Sequence, residues 1–442
     1  MPSAVTEPGF SLARYIQQVE RVDTMPPSGR VTRTVGLLIE SLGPRVRVGA
    51  MCDVLSTGDG SPLAVQVVGF RDGVVLAVPL GDTAGVQPGD RLVARGQALE
   101  IGVGRGLLGR VVDALGRPLD GLGPIATDKT YPVHPPPLNP MDRDPVVAPL
   151  ASGVRAIDSL LTCGRGQRIG LFGGSGVGKS TLLGMLTRGT AADVTVVALV
   201  GERGREVRSF IDHDLGPEGL KRAVVVTSTS DNPPLLRLRA AYSATAIAEY
   251  FRDQGLNVLL LMDSVTRFAM AQREVGLAAG EPPTTKGYPP SVFGLLPTLL
   301  ERAGAVRGRG SITAIYTVLV DGDDHNEPIA DAVRSILDGH IVLARDLASR
   351  YHYPPIDVLQ SVSRTMPEVT EVGHRQRAAQ VREWMAAIRD SEDLVSVGAY
   401  VPGSNPRIDT AREKADAIRQ FLCQDADTLC GFPDALRALE AL

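Results

Sequence analysis

Eight consecutive residues, Gly173-Gly174-Ser175-Gly176-Val177-Gly178-Lys179-Ser180, have the composition and spacing needed to hold a polyphosphate. They satisfy the pattern G-x-x-x-x-G-K-Ser/Thr in full. The glycines let the backbone fold around an anion, so that its N–H groups and the start of the following helix face the charge. Lys179 brings a cation to the β- and γ-phosphates, and the Ser180 hydroxyl is a ligand for Mg²⁺. Thr181 follows and completes the set of ATP-binding residues on the loop. The flanks agree, because an apolar strand over 168–172 precedes the loop and a helix over 181–188 follows it. The motif therefore predicts binding and hydrolysis of Mg·ATP.

Magnesium bound this way needs a carboxylate on a neighbouring strand, usually reached through water. Asp263 ends the run Val258-Leu259-Leu260-Leu261-Met262, which puts a charge at the C-terminal edge of a buried strand, where open α/β sheets place ligands. Hydrolysis also needs a group that orients and polarises the attacking water. The strand over 194–200 ends in Gly201-Glu202-Arg203-Gly204-Arg205-Glu206. Spacing leaves open whether Glu202 or Glu206 takes that task, or whether both pair with Arg203, Arg205 and Arg208. Glu206 is also kept as a further metal candidate.

The elements that must position these residues follow from texture along the chain. Residues 1–24 contain a short amphipathic helix over 11–22, with Leu12, Tyr15, Ile16 and Val19 at helical spacing and Ser11 as its cap. Its stripe suits packing or partner docking. Residues 25–95 read as short β runs broken by Gly and Asp, which suggests a small β-barrel without a ladder of base-stacking aromatics. Residues 96–366 begin with a Gly/Pro-rich connection to about 150. Apolar strands then alternate with helix-length segments, which predicts an α/β domain with a mainly parallel sheet. Residues 367–442 are expected to be helical, with Val381, Trp384, Met385 and Ile388 on one face of the first helix.

At 442 residues the chain suits several domains, and 43% hydrophobic with 22% charged residues is a soluble balance. A formal net charge of −4 offers no basic footprint for nucleic acid. No apolar run of membrane-spanning length and no secretory signal are evident, so the protein is expected to stay inside the cell. Cys52, Cys163, Cys423 and Cys430 lack metal-ligand spacing and are expected to be reduced; the gap between the last two suits one helix face.

Taken together, the motifs resemble the rotary-type ATPases, the group containing the F-type α and β subunits, over residues 25 to 430. The segment Pro354-Pro355-Ile356-Asp357-Val358-Leu359-Gln360-Ser361-Val362-Ser363 fits that family's signature. The resemblance implies a RecA-like core and makes Glu202 the water-activating carboxylate. Non-catalytic α subunits carry Gln there. It makes Arg364 an arginine finger acting in trans on the neighbouring subunit's γ-phosphate, and counts Arg203 and Arg267 with the catalytic residues. It also implies that Tyr353 stacks on adenine; the second aromatic wall maps less directly, with Phe432 as its candidate. One chain carrying both Glu202 and Arg364 can build complete sites from copies of itself, so a ring, six by analogy, is implied.

Within that group the wording of residues 271–304, 316–347 and 394–400 is similar to the export ATPases of type III secretion, and more to the flagellar class than to the injectisome class. The resemblance implies regulatory stator-like and stalk-like partners, export substrates and chaperones at the helical region, and a cytoplasmic protein that contacts the membrane export gate peripherally. In place of the acidic stalk-contacting loop of F-type β subunits stands Tyr400-Val401-Pro402-Gly403-Ser404-Asn405-Pro406, which argues against ATP synthesis. An RNA-dependent ring helicase and a proton-driven synthase subunit are the competing expectations; the first would show salt-sensitive RNA binding.

Overall fold

A computed structural model describes residues 26–56, 61–96, 99–320 and 327–442. The expected helix over 11–22 lies outside them, as do residues 321–326 of the export-type wording. The chain divides at Leu99/Glu100 into two compact units.

The first unit is a closed six-stranded antiparallel barrel. Around it run Ser28–Val35, Leu38–Leu42, Val74–Pro79, Leu63–Arg71, Met51–Leu55 and Arg91–Ala94. Alternation along the strands turns Val31, Ile39, Cys52, Val54, Val65, Val67, Val75, Ala77 and Leu92 into one core. Closure removes the edges that such short strands would otherwise expose.

The second unit is built on a nine-stranded sheet. Its main path runs Val362–Ser363, Gly339–Leu343, Arg168–Gly173, Ser311–Leu319, Asn257–Asp263, Val194–Val200, Ala223–Ser228 and Arg110–Asp113, with Gly304–Ala305 paired to Ser311–Leu319. The seven strands from Gly339–Leu343 to Arg110–Asp113 pair in parallel; the two-residue strands at 304 and 362 pair antiparallel. All seven residues of Val194–Val200 are buried, as expected for a parallel strand covered on both faces. Each such Val or Leu contributes about 1.5–3 kcal/mol by leaving water.

The Gly/Pro-rich stretch before residue 150 is more ordered than its composition predicts. Arg110–Asp113 forms the edge of the main sheet, and Glu100–Val103 pairs with Lys129–Pro132. Strands of four residues beside glycine turns are too short to show a period.

The last strand, Val362–Ser363, is followed by the helices Val372–Ser396, Pro406–Leu422 and Phe432–Glu440. Val381 and Trp384 are buried, while Met385 and Ile388 pack against the same core half-buried. These helices share the core beneath the sheet, and arginines clasp the signature segment. Arg389 binds both oxygens of the buried Asp357, at 2.8 and 2.9 Å, and Arg382 donates to the Ser361 carbonyl. Farther along, the Gln424 amide donates to the Tyr353 carbonyl at 2.9 Å.

Cys423 and Cys430 do not share a helix face. Cys423 ends Pro406–Leu422 and Cys430 lies in the turn before Phe432–Glu440, because the loop from 423 to 431 breaks the helix between them. All four cysteines are free thiols. Among the described residues no helix is long and apolar enough to cross a membrane.

Candidate active site

Strand register brings the candidate residues to one edge of the sheet. Gly173 is level with Leu319 on the neighbouring strand, and Asp263, one strand farther, is level with Leu199. The glycine loop leaves Arg168–Gly173 and enters the helix Lys179–Gly189, two residues earlier than the sequence predicts. Gly176 and Gly178 hold φ of 79° and 92°, a left-handed conformation that residues with a Cβ adopt only under strain. This double reversal turns the loop back over the helix start. Val177 is the loop's anchor: its side chain is buried in the core, so it serves the site through its backbone only.

Beneath the loop lies a cavity of about 440 Å³, of the size that takes a small-molecule ligand. Its walls include Gly174, Lys179, Ser180, Thr181, Glu202, Arg203, Glu206, Asp263 and Arg267. Lys179 Nζ lies 2.7 Å from Asp263 Oδ1, and the Thr317 hydroxyl donates to the same oxygen at 2.7 Å. Sequence reasoning missed Thr317. The available signal was a threonine in an apolar run, Ser311–Leu319, whose strand lies between the loop strand and the Asp263 strand. Phe210, also on the cavity wall, gave no signal because it begins the short π-helix Phe210–Leu215, whose period differs from that of an α-helix.

The two glutamates left open by spacing stand in different surroundings. Glu206 is an exposed ion-pair partner of Arg203 at 3.3 Å, and Arg208 pairs with Asp212 at 2.5 Å. Glu202 faces inward. Burial pushes its carboxyl up to about 7, helped by the Asp263 charge and opposed by Lys179 and Arg267. Glu202 Oε1 and Arg267 Nε are buried without a hydrogen-bond partner among the described residues. Two such orphaned polar atoms beside one cavity are the mark of a site shaped for a polar guest.

Tyr353 stands next to the loop: a Cβ placed on Gly178 would lie 3.7 Å from its ring. Its side chain is 46% exposed, leaving a face free for a flat ligand. Arg364 is not at this cavity. It is exposed beside Arg143, Arg168 and Asp338, at a separate cleft. Phe432, at the start of Phe432–Glu440, is not among the cavity's lining residues either. Among the described residues no group of three or more His, Cys, Asp or Glu could hold a metal. One hydroxyl and one carboxylate suit Mg²⁺, which takes few protein ligands and completes its shell with phosphate oxygens and water.

Residues 153–363 match the ATP synthase alpha/beta family, nucleotide-binding domain, and residues 31–96 match that family's beta-barrel domain. The chain belongs to the ATP synthase alpha/beta family. Residues 370–441 match the T3SS EscN ATPase C-terminal domain, which places it in the secretion branch. It is 52% identical to a flagellum-specific ATP synthase of Bacillus subtilis (strain 168), over 97% of this chain and 98% of that one. It is 50% identical to a type 3 secretion system ATPase of Sinorhizobium fredii (strain NBRC 101917 / NGR234), over 94% and 92%. Among solved structures, the assembled ATPase EscN of enteropathogenic E. coli superimposes with a TM-score of 0.89 at 44% identity, covering 93% of this chain and 99% of that one. EscN in complex with its central stalk EscO gives 0.86. As a member of this family the chain is an ATP hydrolase with a barrel, a mainly parallel nucleotide-binding core and a helical C-terminal region.

Proposed function

We propose that this protein hydrolyses Mg·ATP in a closed ring of its own copies and uses the turnover to assist protein export through the bacterial flagellar type III apparatus. The observation that carries the reading is a split of catalytic parts on one chain. Lys179, Asp263 and Glu202 converge on the glycine-loop cavity, while Arg364 stands exposed at another cleft. A single copy therefore lacks Arg364 at its own cavity, and a neighbouring copy in a ring can supply it.

Phosphoryl transfer depends mainly on positioning and on neutralising charge. The loop amides and Lys179 hold the β- and γ-phosphates. Ser180 and Asp263 would hold Mg²⁺, which would supply positive charge to offset that developing on the phosphates. Glu202, buried and with Oε1 unpartnered, orients the attacking water and accepts its proton. Arg267 lies on the same wall, its Nε available to phosphate or to Glu202. Tyr353 stacks on the base. Arg364 of the adjoining copy neutralises the terminal phosphate.

The flagellar assignment rests on the names carried by relatives about half identical over nearly their full length, in Bacillus subtilis and Pseudomonas aeruginosa among others. A stalk-like partner follows from the stalk-bound EscN structure. Export substrates and chaperones, a stator-like regulator and a peripheral position at the cytoplasmic face of the export gate complete the proposal. Mixing Arg364→Ala chains with Glu202→Gln chains tests it. Each is inactive alone, and mixed rings should regain turnover at sites taking Glu202 from one chain and Arg364 from the other. No recovery would reject the shared site. Stimulation of ATPase activity by flagellar export chaperones, and not by RNA, tests the coupling.

A further inference from the structure

Arg364 leaves the fold from a precarious place. The strand before it, Val362–Ser363, has two residues and pairs antiparallel with only Gly339 and His340 at the sheet edge. So short a pairing holds little by itself. The approach is also tight: a Cβ on Gly339 would lie 2.4 Å from the Val362 carbonyl oxygen, so the position admits glycine alone. Something other than strand pairing must fix the direction in which the arginine departs.

We propose that Gln167 is the positioning residue for Arg364. The inference rests on the reading of Arg364 as a group acting on the neighbouring copy's phosphate. Gln167 is fully buried. Its Nε2 donates to the Asp338 carbonyl and to Ser363 Oγ, both at 3.1 Å, and its Oε1 accepts from the Gly164 amide at 2.8 Å. The Asp338 carbonyl also accepts from the Arg364 amide at 3.0 Å. One side-chain amide therefore ties the residue before the arginine and the carbonyl that receives the arginine's own N–H.

The surrounding bonds fix the same point. Ser363 Oγ donates to the Thr162 carbonyl at 2.8 Å. Asp338 is held by the Arg168 amide at 3.0 Å and by its guanidinium at 2.9 and 3.0 Å. Three segments distant in sequence, 162–168, 338 and 363–364, thus meet at the root of the arginine. Gln167 also directly precedes the six-residue strand Arg168–Gly173, whose other end is the phosphate loop. The grip on the outgoing arginine and the grip on the chain's own phosphate are opposite ends of one rigid element.

A positioning role makes a prediction that a merely structural amide does not. Gln167→Leu keeps the volume and removes the bonds; Ser363→Ala is the milder variant, and it decides the matter by the same readings if the first does not fold. Each variant should lose roughly 10–10²-fold in kcat, the scale of a misplacement of about an ångström, with unchanged affinity for a fluorescent ATP analogue. Because the defect lies in what the chain offers its neighbour, mixing with Glu202→Gln chains should restore turnover, as it does for Arg364→Ala. Parental kcat in the folded variants would overturn the proposal. So would a loss that Glu202→Gln chains fail to rescue while they rescue Arg364→Ala. If Arg364→Ala itself is not rescued, the reading beneath the proposal fails and the proposal falls with it.

Discussion

Lys179 and Thr317 converge on a single oxygen, Asp263 Oδ1, each at 2.7 Å, one from the start of the helix Lys179–Gly189 and the other from the strand Ser311–Leu319. Both bonds falling on one oxygen orient the carboxylate and leave its other oxygen for a further partner. Thr317→Val removes one of the two orienting bonds at nearly constant shape. Loss of such an outer partner costs about 10–100-fold in metal affinity or activity. The Mg²⁺ concentration for half-maximal ATPase should rise accordingly, with the folded state intact by circular dichroism. Lys179→Ala removes the cation itself, and turnover should fall by about 10²–10³-fold or more.

Glu202 makes stability depend on pH in a direction unusual for a carboxylate. Its folded value, about 7, lies above its ordinary 4.5. The native state therefore holds a proton that the unfolded chain has released across that window. Stability from this group is fully present below the ordinary value and is lost as pH rises through about 7. Glu202→Gln should raise the nucleotide-free Tm at pH 8 and change it little at pH 4. After allowance for screening the gain is of order 1–2 kcal/mol. The same variant should bind ATP and nearly cease to hydrolyse it. A Tm gain confined to acid pH would contradict the assignment.

Arg364→Ala should separate folding from turnover. The side chain is exposed, and its amide, which the substitution retains, makes the bond to Asp338. Thermal stability and nucleotide affinity should match the parent, while kcat falls by about 10³–10⁵-fold. Steady-state kinetics alongside calorimetry would show both.

Tyr353 is tested by its face rather than its hydroxyl. Tyr353→Ala should weaken ATP binding by about 1–3 kcal/mol, the range for loss of one aromatic–base contact. Tyr353→Phe should leave binding near the parental value. Equal losses in both variants would point to the hydroxyl instead.

Much of this site was legible in the sequence because its strongest constraints are local. A glycine loop between strand and helix, and Asp263 at the end of an apolar run, follow from spacing alone. Glu202 and Glu206 could not be separated that way, because the difference is burial: both line the cavity, but Glu202 is half-buried while Glu206 is exposed and paired with Arg203. Gln167 left no trace and Thr317 only a polar residue in an apolar run, because each acts across strands that only the sheet order brings together. The barrel was visible through alternation, whereas Arg110–Asp113 was hidden by its length and by the glycines around it. The pairing of Cys423 and Cys430 on one helix failed where a loop, not a helix, joins them.

Arginines of Val372–Ser396 bind the segment that runs from Tyr353 to Arg364, and Asp357 is 5% exposed beneath Arg389. Deleting everything beyond residue 370 would remove the Arg389 ion pair and leave the Asp357 carboxylate held only by Leu359 and Gln360. The shortened protein would thus not be a minimal ATPase. The backbone that carries Tyr353 and Arg364 would lose that support, so any load borne by the terminal helices bears on both residues at once.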